Sequence, residues 1–362
     1  MIKKLKKTVL QMIAGANVAT ILLMMLSGFS DRLDPESYTL INVAGLFFPF
    51  LLIANLLFLA FWVIVKIRWV WIPLLGFIAC YLPVRNYFPV NAPCAHDPGA
   101  LKFLSYNVWG FHGWEDKEGP NPIYEYLAKE DADIVCLQEI PVGNNGIKDD
   151  VLTLLHGKYQ YCDTAIMRGK SETLCVLSKH PILKKELVEK EPSNAHSMAF
   201  FLSVDGDTVV VVNTHLEVTS LSVDERNKFK VMIDGDMGRD SARAESKALI
   251  QKLAQSSVRR APQVKALAQY VQEQHHPVIL CGDFNDTPVS YAHYRIDELL
   301  EDCFVNSANG LGFTYHHHSM KVRIDHIFCS DYWEPQGCYV DDKIHTSDHY
   351  PVITWLKKRV NP

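Results

Sequence analysis

Three apolar runs without a single charge, residues 8–29, 38–65 and 69–84, dominate the first quarter of the chain. A helix needs about 20 apolar residues to cross a bilayer, so the first two runs are long enough and the third is short. Trp69, Trp71, Tyr81 and Tyr87 bracket the third run with aromatics of the kind that settle at membrane interfaces, and the pattern predicts a crossing over residues 69–90. Lys3, Lys4, Lys6 and Lys7 precede the first run, and Lys66 and Arg68 separate the second from the third. Positive flanks stay on the cytoplasmic side, so three crossings are expected to deliver the remaining chain outside the cytoplasm. A cleaved signal peptide is the rival reading of residues 1–29. Its apolar core would be long for one, no small-x-small site follows, and cleavage would leave two crossings with the same outcome.

Past residue 90 the pattern changes. Pro93, Pro98 and Gly99 mark a linker over residues 91–100, and short apolar runs of strand length begin at Leu101. Strands are predicted at 101–108, 133–139, 173–178, 182–188, 198–204, 208–212, 277–280, 322–329 and 351–356, with Asp205-Gly206-Asp207 as a hairpin turn. Asn121-Pro122 predicts a capped helix start. Residues 149–156 read as a helix stopped by Gly157. The stretch over residues 223–275 reads as two or three helices, with a start at Asp240-Ser241 and a break at Pro262. A further short helix is expected near residues 296–300. Strands outnumber helices and arrive as hairpins, which predicts mixed α/β layers rather than alternating βαβ units. The expected organisation is a membrane domain over 1–90, a linker, and a soluble domain over 101–358.

With 48% hydrophobic and 21% charged residues, the composition excludes wholesale disorder. Residues 1–95 hold eight Lys/Arg and three Asp/Glu of the chain's 36 and 41, leaving 28 against 38, so the soluble part carries about −10. That lacks the basic footprint of a nucleic-acid binder, although a local patch can hide in an acidic domain. Cys136, Cys281 and Cys329 sit in apolar runs, as small buried hydrophobes do, and no cysteine spacing suits zinc.

Polar groups gather where the strand-like runs end: Asn107, Glu139, His215, Asp283 with Asn285, Asp325, and Asp348 with His349 just ahead of the last run. In Cys281-Gly282-Asp283-Phe284-Asn285, strand alternation points Asp283 and Asn285 the same way and Phe284 into the core. Any one of these motifs by itself reads better as a turn, a solvated strand end or a helix cap. Six of them in order do not.

Leu104-Ser105-Tyr106-Asn107, Cys136-Leu137-Gln138-Glu139, Asn213-Thr214-His215-Leu216, Gly282-Asp283-Phe284-Asn285, Arg323-Ile324-Asp325-His326 and Ser347-Asp348-His349 together resemble the endonuclease/exonuclease/phosphatase superfamily over about residues 100–357. The resemblance implies a four-layered α/β sandwich, two packed mixed sheets flanked by helices. It implies Mg²⁺, with Mn²⁺ as a substitute, held near Glu139, Asn107 and Asp348, hard oxygen donors that leave room for water and a phosphate. It further implies a catalytic set of His349, Asp325, Asp283, Asn285 and His215. Asp325 would hold His349, Asp283 and Asn285 would orient or deprotonate the attacking water, and His215 would bind phosphate or assist the leaving group.

The expected activity is hydrolysis of a phosphodiester or phosphomonoester by in-line attack of water. A nonspecific endonuclease outside the cytoplasm, a lipid head-group hydrolase of the sphingomyelinase or inositol-phosphatase kind, and a small-ester phosphatase stay open as alternatives. A non-catalytic binding domain on the same fold would have no use for the Asp325–His349 pair. The expected partners are a lipid bilayer and a phosphate ester, with no protein partner. His316-His317-His318 reads as a loop near the site mouth, and Arg259, Arg260 and Lys265 as a polar helix face.

Overall fold

The computed structural model describes residues 2–111, 121–141, 155, 157–167, 172–189, 196–219, 225, 228, 231, 238–317 and 320–359. The first apolar run forms helix α1 (Ile2–Gly28). Short turns follow, among them α2 (Thr39–Asn42) and a 3₁₀ turn at Val43–Phe47, before the second run forms α3 (Phe48–Val65). The third run splits into α4 (Trp71–Ala79) and α5 (Tyr81–Tyr87). Two helical stretches, Lys3–Arg32 and Thr39–Val65, are long and apolar enough to cross a membrane; a third exists only if the bent pair, with 73° between its halves, is one span. Pro83 explains the bend, because it has no N–H to give the Ala79 carbonyl one turn back.

Nearly every large apolar side chain left exposed lies between Leu5 and Val90; the exceptions among the described residues are Ile166, Leu183, Val231 and Leu311. That concentration suits a lipid-facing surface and suggests membrane association. Inside the bundle the pattern inverts. Asn17 Nδ2 donates to Asn55 Oδ1 (3.1 Å), Trp62 Nε1 to Asn17 Oδ1 (3.1 Å) and Asn55 Nδ2 to the Pro73 carbonyl (3.0 Å). Amides buried among apolar helices bond one another because nothing else can serve them, and this sets α1, α3 and α4 in register.

From Leu101 onward, among the described residues, twelve strands build two six-stranded sheets. The first contains β1 (Leu101–Asn107), β2 (Ile134–Pro141), β3 (Tyr161–Ile166), β4 (Glu172–Ser178), β11 (Trp333–Val340) and β12 (Val352–Lys358), in the order β11-β12-β1-β2-β4-β3. The second contains β5 (Ile182–Leu187), β6 (Ser197–Val204), β7 (Asp207–His215), β8 (Val278–Asp283), β9 (Glu301–Asp302) and β10 (Asp325–Cys329), in the order β5-β6-β7-β8-β10-β9. Among the described residues only β1 with β2 and β7 with β8 run parallel, so both sheets are mixed. Alternate residues face alternate layers: Ile279 and Cys281 join Phe103, Cys136, Phe200 and Val211 between the sheets. Val278 and Leu280 instead pack beneath α7 (Arg239–Gln272), while α6 (Pro122–Glu130) covers the other sheet. The result is the expected four-layered sandwich.

Several local expectations change. Helix α7 runs straight through Pro262 instead of breaking there. A proline inside a helix costs about 3 kcal/mol, and burial of Ala261, Val264, Leu267 and Val271 on the second sheet outweighs that. Helix α8 (Tyr291–Asp297) starts ahead of the predicted position because Ser290 Oγ accepts from the His293 N–H and caps it. Strands β3, β9 and β11 lie outside the predicted set, β3 being only half-buried along most of its length. Of the helix expected over residues 149–156 only Leu155 is described, and of residues 223–237 only Glu225, Lys228 and Val231. The cysteines are thiols, with Cys162 Sγ and Cys175 Sγ 3.7 Å apart.

The apolar bundle is docked on the sandwich. Lys265 of α7 pairs with Asp34 at 2.6 Å, Arg85 donates to Asn306 Oδ1 at 2.7 Å, and Arg323 donates to the Asn86 carbonyl. The segment expected as a linker is held down as well, with Asn91 Nδ2 donating to the Ala308 carbonyl and His96 stacked on Trp355.

Candidate active site

Strand register assembles the centre. In the second sheet His215 pairs with Asp283 across the parallel ladder, and Asp283 pairs with Asp325 across the antiparallel one. Directly opposed residues share a face, so the ends of β7, β8 and β10 lay three side chains in a row facing the other sheet. Gly282 makes the close approach possible. Its φ is +139°, and a Cβ there would sit 1.9 Å from the Thr214 carbonyl oxygen. Phe284 turns back into the core, as strand alternation predicts. Asn285 then takes φ +51°, its N–H on Asp283 Oδ1 (2.7 Å) and its amide on the Leu216 carbonyl (3.1 Å).

The first sheet contributes through a bulge. Alternation along β2 puts Val135 and Leu137 on the helix side, and Glu139 would follow them. The β2–β4 register instead slips between Leu137 and Ile140, and Glu139 adopts φ +58°. A bulge re-aims the side chain at its site. Glu139 Oε1 thereby accepts from Asn107 Nδ2 (2.9 Å) and lies 3.5 Å from His215 Nε2. Gln138 takes the inward place. Its Nε2 donates to Asn213 Oδ1 (2.7 Å) and Ser105 Oγ (3.2 Å), while Asn213 Nδ2 reaches the Leu137 carbonyl, a buried amide layer joining the sheets beneath the site.

The segment before β12 closes the ring. Ser347 Oγ donates to the Asn107 carbonyl, and His349 Nδ1 bonds Asp325 Oδ2 at 2.7 Å. His349 Nε2 lies 3.7 Å from Asp283 Oδ2, and Asp348 Oδ1 is 4.0 Å from it. All eight expected residues therefore converge. Their motif neighbour His326 does not: its ring lies by Asp302 (3.7 Å), away from the centre. His317 Nδ1 reaches to within 3.9 Å of Asp348 Oδ2, His316 stacks on Tyr350, and His318 lies outside the described residues.

The buried acids repel one another. Burial, then the charge of Asp325, pushes the Asp283 carboxyl up from 3.8 to about 7. Burial alone would lower His349, but Asp325 and Asp283 outweigh it and raise the imidazole from 6.5 to about 10. The folded chain thus keeps a proton on Asp283 that the unfolded chain releases, so this group's contribution to stability falls as pH rises from about 4 to about 7. The contribution of His349 is full below about 6.5 and is lost as pH rises through about 10. In EDTA, Asp283→Asn should melt above the unaltered chain at pH 8, and the gap should close toward pH 4. Melting curves across that range check the sign; a variant less stable at pH 8 would contradict it.

Sequence reasoning missed part of the wall. Arg260, expected on a polar helix face, is 3% exposed and pairs with Asp286 at 3.1 Å, and both line the cavity over the centre. Trp109 and Tyr315 line it as well. Nothing in a single sequence marks these, because each depends on which loop folds over which.

Strand-end carboxylates, amides and histidines thus meet between two packed mixed sheets. The chain belongs to the Endonuclease/Exonuclease/phosphatase family, whose model matches residues 104–349. Membership supports phosphoesterase activity in general, and enzymes of this family generally use divalent metal ions. Residues 10–87 match a separate model, a domain of unknown function (DUF8431). No curated protein matches the chain. Among solved structures, an endonuclease/exonuclease/phosphatase family protein from Leptotrichia buccalis is similar at 17% identity and TM-score 0.51, covering 71% of this chain and 100% of its own. One from Beutenbergia cavernae matches at 17% and 0.50, covering 71% of each. At that identity the likeness speaks for the fold.

Proposed function

We propose that this chain is a membrane-anchored, metal-dependent phosphoesterase acting through the eight converging residues. The observation that carries the reading is the row His215–Asp283–Asp325 facing Glu139, with His349 clamped by Asp325. A scaffold would gain nothing from acids packed so closely that one is pushed up to about 7.

The donor set fits a hard cation. Glu139 and Asp348 offer carboxylate oxygens to one cavity, and Asp348 Oδ1 is buried without a hydrogen-bond partner among the described residues. Asn107 turns its Nδ2 to Glu139 and Asp283, and its oxygen would join them after the amide rotates. Bound there, Mg²⁺ or Mn²⁺ would polarise the phosphoryl oxygen and neutralise the neighbouring carboxylates.

Asp283, fixed by the Asn285 N–H, takes the proton of the attacking water as its oxygen bonds to phosphorus. His215, 3.8 Å from Asp283, is placed to protonate the departing ester oxygen, so phosphate and alcohol leave with water's two hydrogens accounted for. His349, held protonated by Asp325, stabilises charge on the phosphate instead of acting as the base. The full-length chain in detergent with Mg²⁺ or Mn²⁺ should hydrolyse p-nitrophenyl phosphate or bis(p-nitrophenyl) phosphate, lose that activity in EDTA and regain it on metal addition. Turnover of neither ester would overturn the proposal.

The contacts also support a multi-pass topology with an extracytoplasmic catalytic domain. The loop after α1 and the end of α5 both touch the sandwich, through Asp34–Lys265 and Arg85–Asn306, so the bent pair returns to the side on which the first run ends. Lys66 and Arg68 lie at the other end of α3, and positive loops stay cytoplasmic. Alkaline phosphatase fused after Pro362 should be active and a fluorescent protein there dark; the opposite pair of results would place the site inside.

A further inference from the structure

We infer that the substrate is a membrane-resident lipid phosphate ester, because the apolar N-terminal segment forms one wall of the catalytic cavity. The inference rests on the phosphoesterase reading and names the substrate class for the same site. A cavity of about 320 Å³ is lined by Glu139, Asp283, Asp348 and His349 and also by Asn42, Val43 and Leu46. The latter three lie in α2 and the following 3₁₀ turn, at the start of Thr39–Val65, the second stretch long enough to cross a bilayer.

That wall is built in. The 3₁₀ turn approaches the loop after Asn285 so closely that a Cβ on Gly45 would lie 2.4 Å from the Val289 carbonyl oxygen. Val289, a cavity residue of the sandwich, is buried in a cluster with Met24, Phe48 and Cys80 of the bundle. Asn42 is held by donating to the Leu33 carbonyl. The site therefore includes the bundle as a structural part.

Two chemistries meet in that lining. The carboxylates suit a metal-bound phosphate, while Val43, Leu46, Val289, Val322 and Ile324 give the same cavity apolar lining. Beside it Leu40, Ile41, Phe47 and Phe50 remain exposed, an apolar rim on the segment entering α3. An amphiphile anchored in the same bilayer can present its ester bond to Asp283 and keep its first methylenes on Val43 and Leu46. A cavity of this size accepts one head group, as ordinary small-molecule pockets do, and the approach of duplex nucleic acid would meet an acidic domain.

The test uses the full-length protein with bound metal in phosphatidylcholine vesicles. Matched pairs with and without acyl chains are compared: dioleoyl phosphatidic acid against its short partner glycerol 3-phosphate for a monoester, and dioleoyl phosphatidylglycerol against its short partner glycerophosphoglycerol for a diester. Burying two methylenes on the wall corresponds to roughly tenfold, so at least one long-chain ester should exceed its short partner by about that factor in kcat/KM. Leu46→Asp and Val43→Asp should collapse the ratio toward one. Leu46→Gln, which preserves size without charge, should lower it in the same direction should either acidic variant fail to fold. Equal rates within both pairs, a ratio unmoved by every wall variant, or plasmid DNA nicked with no vesicle lipid turned over would each overturn the inference while leaving the phosphoesterase reading intact. If even p-nitrophenyl phosphate and bis(p-nitrophenyl) phosphate resist hydrolysis, the underlying reading falls and takes this one with it.

Discussion

Glu139→Ala and Asp283→Asn are each expected to lower metal-dependent ester hydrolysis by roughly 10³-fold or more, since positioning and charge stabilisation carry nearly all of phosphoryl-transfer catalysis. The two losses have different causes. Glu139 sits on the bulge between the sheets, against Asn107 and His215, and its removal deletes a carboxylate where a cation would be held. Asp283→Asn keeps the shape and removes the proton acceptor. It should leave the chain folded, because the native carboxylate is the strained partner, pushed up to about 7 by burial and Asp325. His317→Ala, at the rim, should cost less than about tenfold, a weak effect typical of a group outside the reacting atoms. Steady-state rates on a soluble ester, with melting curves as the control for folding, decide the matter. Near-native rates in both centre variants would remove these carboxylates from the reaction.

Gly282→Ala is expected to destabilise the sandwich by roughly 4–5 kcal/mol, which lowers the melting temperature by about 10–15 °C in a domain of this size. Two penalties combine. At φ +139° an L side chain is strained wherever it points, and here it points at the Thr214 carbonyl oxygen 1.9 Å away. That carbonyl belongs to the β7–β8 ladder, so retreat would break the register that places His215 beside Asp283. Gly206 provides the control. It also has positive φ, +90°, in the β6–β7 hairpin, but nothing lies within 4 Å of its Cβ position. Gly206→Ala should cost only about 1–2 kcal/mol, the conformational part alone. If both substitutions cost the same, the close approach at Gly282 has no energetic weight.

The candidate site was legible in unusual detail because each functional group closes or precedes an apolar strand, and strand period together with residue type are local properties. The row His215, Asp283 and Asp325 needs only that three buried strands end at one level. Glu139 was legible by its motif and not by its geometry, since alternation would have turned it to the helix side until the β2–β4 register slipped. The amide layer of Gln138 and Asn213 was present in the same motifs, yet its work of joining two sheets cannot be seen from either strand by itself. Arg260 looked like one cation of a polar helix face. Its burial depends on a helix that continues through Pro262 and leans on the loop holding Asp286.

By itself the sequence determined the apolar N-terminal runs, the strands that form the central ladders, the mixed α/β class and the identity of the converging groups. These follow from hydrophobic period, turn chemistry and side-chain type, which act over a few residues. Only the tertiary structure decided the aim of Glu139, the continuity of α7, the salt bridge to Asp286, and above all the placing of Asn42, Val43 and Leu46 in one cavity with the clustered carboxylates. Each of those is settled by packing between segments far apart in the chain, where the burial of one surface against another outweighs a local preference that no short window can overrule.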